Sequence, residues 1–174
     1  MAAHDTSAPL PPRAAAERPS RLLFLCMGNI CRSPAAEGVF LHLLAGEGLE
    51  SCFVVDSAGT GSWHTGQPAD SRMQAAAYRR GIHLPSRARR IEPADLQSFD
   101  LILTMDAENL AAVRQLQRRH PSTAQVTPLT RFCRRFNDSE VPDPYYGGEA
   151  GFEHVLDLLD DACGGLLEAL RPDR

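Results

Sequence analysis

A chain of 174 residues that is 43% hydrophobic and 23% charged can bury one well-packed core and is short for two. Its formal net charge of −4 gives no general electrostatic pull toward nucleic acid or acidic lipid. All 18 basic residues are arginine, which excludes a Schiff-base lysine and the lysine-bearing phosphate loop of nucleotide enzymes. Five cysteines, an odd number without framework spacing, argue against a disulfide scaffold and for a reducing compartment, so a cytoplasmic protein is expected. No apolar stretch approaches the roughly 20 residues of a membrane span, and the N-terminus has no apolar core of a signal peptide. The six histidines show no ligand spacing, and neither a metal nor another cofactor is expected.

Residues 1–20, rich in Ala, Pro and Ser without periodicity, read as a disordered extension, and residues 21–174 as one domain. The apolar run from Leu22 to Leu25 suits a buried strand. Ser33 can cap a helix with Pro34 as its first residue, and Ala35, Val39, Leu43 and Leu44 then fall at helical spacing before Gly46 and Gly48 end it. A second strand over Cys52–Asp56 completes a βαβ unit, which requires a parallel pair. Asp70 can cap a helix to Arg80 that Gly81 ends, Arg87 to Ile91 reads as a short third strand, and Pro93 to Gln97 as a helical turn. Leu101 to Thr104 is a buried strand, and Asp106 caps a helix to Arg119 that His120-Pro121 stops. Thr127 to Asn137 is ambiguous, reading as an edge segment and a turn of helix around Phe132 to Phe136. Gly148 opens a last helix whose apolar face is Phe152, Val155, Leu156, Leu159, Leu166 and Leu170. Strands alternating with helices predict a single-domain α/β fold, a doubly wound (flavodoxin-like) parallel sheet with an anion loop after the first strand.

That loop, Cys26 to Arg32, is C-x5-R. Successive backbone N–H groups curling from a strand end into a helix N-terminus form a nest for a tetrahedral dianion. Gly28 and Asn29 are residue types that tolerate left-handed backbone, and Arg32 offers a planar fork for two phosphate oxygens. Cys26 under the anion stands where a thiol ionises readily and becomes a nucleophile, and Ser33 can donate a hydrogen bond to its sulfur. Composition alone gives about half a chance match to C-x5-R, but the strand before it and the Ser-Pro helix start after it are independent requirements that are also met.

Cys-Met-Gly-Asn-Ile-Cys-Arg-Ser-Pro resembles the phosphate loop of the low-molecular-weight protein tyrosine phosphatases. Asp56-Ser-Ala-Gly-Thr60, Trp63-His64, Met105-Asp106 and Asp143-Pro-Tyr-Tyr146 are similar to that family's later landmarks, in the same order from about Leu22 to Leu170. The resemblance implies a metal-free hydrolysis of protein phosphotyrosine through a cysteinyl-phosphate. Cys26, Arg32 and Asp143 would be catalytic, with Asp143 as general acid and then base. Met27, Gly28, Asn29, Ile30, Cys31 and Ser33 would form the phosphate loop, and Trp63, Tyr145 and Tyr146 would wall a slot for a phenyl ring. The expected partners are tyrosine-phosphorylated proteins, with no nucleic acid or membrane, and the protein is expected to act as a monomer. The chain departs from many members at Ser86, where a histidine commonly buttresses the loop asparagine. Cys31 has two readings, a partner that traps oxidised Cys26 as a disulfide or a small buried thiol. Asp106 reads chiefly as a helix cap, and His64, beside Trp63, as an exposed loop residue in preference to one that tunes the pocket rim.

Three other functions are weighed. Arsenate reduction on the same loop needs two further cysteines close together, and Cys52, Cys133 and Cys163 are scattered. An arginine phosphatase would carry a smaller polar residue at Ile30. A silent phosphoprotein binder would not need Cys26, Arg32 and Asp143 all intact.

Overall fold

Leu22, Leu23, Phe24 and Leu25 are all fully buried, because both faces of the strand that carries them are covered. The computed structural model describes residues 9–173. In chain order its elements are β1 (Ser20–Cys26), α1 (Arg32–Glu47), β2 (Phe53–Gly59), α2 (Ser71–Tyr78), α3 (Asp95–Ser98), β3 (Leu101–Thr104), α4 (Ala107–Arg119), β4 (Gln125–Pro128) and α5 (Glu149–Leu170), with single turns of 3-10 helix at Glu50–Cys52 and Leu129–Phe132. The sheet has the order β2-β1-β3-β4 with every pair parallel. Leu22 and Phe24 face one layer with α1, α2 and α5, while Leu23 and Leu25 face Leu96 of α3, Val113 of α4 and Val126 of β4. Each of these buried side chains contributes about 1.5–3 kcal/mol relative to exposure.

The chain leaves β1 toward β2 on one side and returns to β3 on the other, so strand order reverses at the carboxyl end of β1. An open α/β sheet leaves a crevice there for a ligand. Cys26, paired in register with Gly59, is the last residue of β1 at that point.

Most expected elements are present, with four differences. The first helix begins at Arg32 with Cys31 as its cap, two residues before the expected start. Ser33 is not free to cap because its hydroxyl is engaged with Cys26 and Asn29. Pro34 still fits in the first turn, where backbone N–H groups have no intrahelical acceptor. Arg87 to Ile91 is not a strand: it makes isolated bridges from Arg90 to Gly59 and from Arg87 to Pro68, since only the end of β2 reaches it. The helical turn expected within Thr127–Asn137 forms earlier, at Leu129–Phe132 behind the short edge strand β4.

The fourth difference concerns the expected disordered extension. Residues 1–8 lie outside the described residues, but the segment beyond them packs on the fold. Ala14 is 2% exposed, and its N–H donates to the Leu170 carbonyl at 2.9 Å. Arg13 donates to the Arg171 carbonyl at 3.0 Å. The last carbonyls of a helix have no intrahelical donor, and this segment supplies them to α5.

Candidate active site

The loop from Met27 to Cys31 links the end of β1 to the start of α1. Asn29 is its left-handed residue at φ 57°, and Gly28 does not need that freedom. A Cβ on Gly28 would stand 3.1 Å from His64 Cδ2, so this glycine makes room for a neighbouring side chain. Asn29 is pinned from three sides: its Nδ2 donates to Ser33 Oγ at 2.8 Å and Ser57 Oγ at 3.0 Å, and its Oδ1 accepts from Arg89 N at 2.9 Å. Ser57 Oγ in turn donates to Glu37 Oε1 at 2.8 Å, and the Ser86 side chain bonds the same carboxyl. The asparagine is therefore held through Ser57 and the Arg89 backbone, with Ser86 bracing Glu37 behind them. Burial pushes the Glu37 carboxyl above its usual range, and the bonds from Ser57 and Ser86 offset only part of that.

Cys26 Sγ lies 2.9 Å from Ser33 Oγ and accepts from Asn29 N at 3.3 Å. The N–H groups of Gly28, Ile30 and Cys31 donate to no acceptor among the described residues. Ile30 and Cys31 are buried, and a buried N–H without a partner is costly unless an anion fills the site. The first turn of α1 holds no acidic side chain that would compete with that anion. Cys31 is buried and its thiol is pushed up to about 12, chiefly by burial with Asp70 and Asp143 adding to it.

Arg32 roots its guanidinium beneath this cradle, with its side chain only 4% exposed. Its Nη1 donates to Asp106 Oδ2 at 2.6 Å and to the Val141 carbonyl at 3.1 Å. Its Nη2 stands 3.8 Å from Asp143 Oδ2. Burial alone would ease its proton off, but the Cys26 sulfur, Asp106 and Asp143 together hold it above the ordinary arginine range. Asp106 has two tasks: Oδ1 caps α4 by accepting from Asn109 N at 2.8 Å, and Oδ2 orients Arg32. A cap signal was readable in the sequence; the second task depends on a residue 74 positions away.

The loop bearing Asp143 is tied by Val141 N to the Met105 carbonyl at 2.8 Å, and Tyr145 N donates to Asp143 Oδ1 at 3.0 Å. Tyr145, 37% exposed, meets Tyr146 edge-on at 4.9 Å between ring centroids and His64 at 6.4 Å. Tyr146 is 94% exposed and Trp63 is 71% exposed, stacked on Gly61 where a Cβ would collide with its ring. Met27 is the one exposed apolar side chain of the loop itself. His64, half-buried with Nδ1 3.1 Å from Gln67 Oε1, bridges Gly28 and Tyr145 and so belongs to the rim, contrary to its reading as an exposed loop residue. Its only signal in the sequence was adjacency to Trp63.

The Cys26 sulfur, a cluster of backbone N–H groups without protein acceptors, a buried guanidinium and a carboxyl from a distant loop thus share one end of the sheet. The family model for low molecular weight phosphotyrosine protein phosphatase matches residues 21–174. A low molecular weight protein-tyrosine-phosphatase of Streptomyces coelicolor is 41% identical over 153 residues, covering 87% of this chain and 93% of the relative. The crystal structure of a protein tyrosine phosphatase from Entamoeba histolytica with Hepes in its active site superposes with TM-score 0.81 at 43% identity, covering 87% of this chain and 96% of that one. That of a Drosophila arginine phosphatase superposes with TM-score 0.82 at 30% identity, covering 88% and 99%. The chain belongs to the low molecular weight phosphotyrosine protein phosphatase family, and the expected enzyme class and doubly wound fold stand. Among the described residues no helix is long and apolar enough to cross a membrane.

Proposed function

We propose that this protein hydrolyses phosphotyrosine in protein substrates through a cysteinyl-phosphate intermediate, without a metal ion. The observation that carries this reading is the meeting of Cys26 Sγ, buried Arg32 and Asp143 around one set of N–H donors that have no acceptor among the described residues. The phosphate dianion occupies the nest with Arg32 forked onto two of its oxygens. The Cys26 thiolate attacks phosphorus as the bond to the phenolic oxygen breaks, and Asp143 hands its proton to the departing phenolate. Asp143 then takes a proton from water, whose oxygen attacks phosphorus and breaks the S–P bond, releasing inorganic phosphate and the thiolate. The Ser33 hydroxyl, which accepts from Asn29, can turn its one hydrogen from the Ala58 carbonyl at 3.3 Å to the Cys26 sulfur at 2.9 Å when that sulfur carries charge in either step. Arg32 and the loop N–H groups supply the positive charge that a metal would otherwise bring.

Tyr145 and His64, with Tyr146 and Trp63 beyond them, support an aromatic substrate, and Ile30 favours a flat ring over phosphoarginine. A thiolate nucleophile suits a reducing compartment, hence the cytoplasm. Turnover of phosphotyrosine peptides in the presence of a chelator, absent in Cys26→Ser and Arg32→Lys, is the expected result. The Cys26→Ser protein should still bind phosphate, because the nest remains, whereas Arg32→Lys loses the planar fork. Near-normal activity in either variant, or a preference for phosphoarginine over phosphotyrosine, would overturn the reading.

A further inference from the structure

Arg72 lies outside the phosphate cradle, yet it joins the cradle to the loop that carries Asp143. The Ile30 carbonyl of the phosphate loop accepts from Asp70 N at 2.8 Å. The Asp70 carboxylate then grips Arg72 as a fork, Oδ1 accepting from Nε at 3.1 Å and Oδ2 from Nη2 at 2.9 Å, while Oδ1 also caps α2 through Arg72 N at 2.8 Å. Arg72 holds Asp70 below the usual carboxylate range. The guanidinium carbon so fixed stands 5.4 Å from the centroid of Tyr145 and 4.8 Å from that of Phe152, the buried aromatic at the start of α5. Planar, delocalised and held on one edge by Asp70, it is suited to stacking against rings in a way an ammonium is not.

Tyr145 is also the residue whose backbone N–H holds Asp143 Oδ1. The path Ile30, Asp70, Arg72, Tyr145, Asp143 therefore runs from one side of the reaction centre to the other by contacts that are each a hydrogen bond or a ring stack. Between Val141 and α5 the other supports of the acid loop are buried Pro144, His64 beside Tyr145 and Arg32 beside Asp143, while its remaining backbone bonds, Gly147 N to the Pro144 carbonyl and Gly151 N to the Gly148 carbonyl, are internal to it and the first turn of α5.

We propose that Arg72 is a positioning residue for the acid loop, a shelf anchored on the phosphate loop through Asp70 that sets where Tyr145 and Asp143 stand. For its effect on catalysis this rests on the phosphatase reading given above. Its charge is not an additional phosphate ligand, because Asp70 occupies the fork.

Amide hydrogen exchange over residues 143–148 and single-turnover phosphorylation of the enzyme test this on the full chain. In Arg72→Ala, exchange in that segment should quicken by roughly threefold to tenfold, the range expected for losing a partly exposed cation–π contact. Phosphorylation by phosphotyrosine should slow by a similar factor, and phosphorylation by an aryl ester with a very acidic leaving group should slow less. Affinity for inorganic phosphate should not change. Arg72→Lys, which keeps the charge but cannot fork onto Asp70, should behave like Arg72→Ala. Tyr145→Leu reaches the same contact from the other end should the Arg72 variants not fold, and it should quicken exchange in the same segment. Unchanged exchange in these variants would overturn the shelf. Equal slowing with both esters, or weakened phosphate binding, would overturn the positioning of the acid. An inactive wild type would instead count against the phosphatase reading, since exchange reads the loop without turnover.

Discussion

The two halves of the reaction centre are built in opposite ways. In the phosphate loop every residue but Met27 and Gly28 is buried, Asn29 alone has three side-chain bonds, and behind it buried Ser57 and Glu37 form a polar layer braced by half-buried Ser86. The acid loop lies exposed from Pro142 to Gly148 apart from Pro144, and it is attached through Val141 and Arg32, then through Tyr145 and Arg72. A nest for a dianion must be rigid before the ligand arrives, because its donors gain nothing if they have to be gathered at that moment. The proton donation proposed for Asp143 needs only a short reach and must let the substrate in and out, which suits a loop held at a few points.

The largest expected effect breaks the exposed half alone. Asp143→Asn should slow phosphorylation by phosphotyrosine by roughly 10²–10⁴-fold, the usual cost of losing a general acid, with little change in phosphate affinity. Across aryl phosphates in single-turnover experiments, the variant should depend steeply on leaving-group pKa where the wild type is shallow. Equal slopes would mean that the proton comes from elsewhere.

Breaking the rigid half should instead be felt as stability. Asn29→Ala loses three buried side-chain bonds and puts a Cβ-bearing residue without a polar side chain at φ 57°, a combined cost of about 2–4 kcal/mol in urea unfolding. Asn29→Gly relieves the backbone strain while still losing the bonds, and should recover about 1 kcal/mol of it. Two variants of equal stability would show that the left-handed turn carries no strain.

Cys31 tests whether rigidity limits redox chemistry. On the trapping reading, peroxide would oxidise Cys26 to a sulfenic acid and the Cys31 sulfur would attack that sulfur, forming a disulfide and releasing water. We expect dithiothreitol to restore the wild type and to fail with Cys31→Ser, whose Cys26 goes on to the sulfinic acid. With the Cys31 thiol pushed up to about 12, capture should be slow at neutral pH and quicken as pH rises. Equal recovery of the two proteins would leave Cys31 as packing.

The smallest effect is confined to the polar layer. Since the folded state holds the Glu37 proton to higher pH than the unfolded state does, folding stability falls as pH rises through the ordinary glutamate range toward the raised value. Glu37→Gln removes that dependence, so its stability relative to wild type should increase between pH 4 and neutrality. A difference that does not vary with pH would place the proton elsewhere.

What could be read from the chain was whatever its neighbours in sequence determine. Leu22 to Leu25 and Leu101 to Thr104 could be read as strands from apolar runs, Asp70 and Asp106 as caps from their positions, and the end of α1 from Gly46 and Gly48, of which Gly46 lies inside the helix and Gly48 is its left-handed cap. Pro34 misled by two residues because the local preference for capping lost to the bonds Ser33 makes with Cys26 and Asn29. Arg87 to Ile91 meets the edge strand β2 only at its last residue, Gly59, and so makes a bridge and not a strand. The roles of Asp106 toward Arg32, of His64 over Gly28 and of Arg72 beneath Tyr145 all depend on partners in other elements, and no local pattern could announce them.

The bond from Ala14 to Leu170 brings the two ends of the described fold together, one hydrogen bond apart. The order in which the elements are strung is thus separable from how they pack: a short bridge between the ends, with the chain opened instead in the exposed turn after His120, would yield a circular permutant with every contact of the reaction centre intact. In such a permutant β4, the Asp143 loop and α5 would be synthesised before β1 and its phosphate loop, and β3, which joins β1 to β4, would come after both, so the exposed half of the site would await the rigid half.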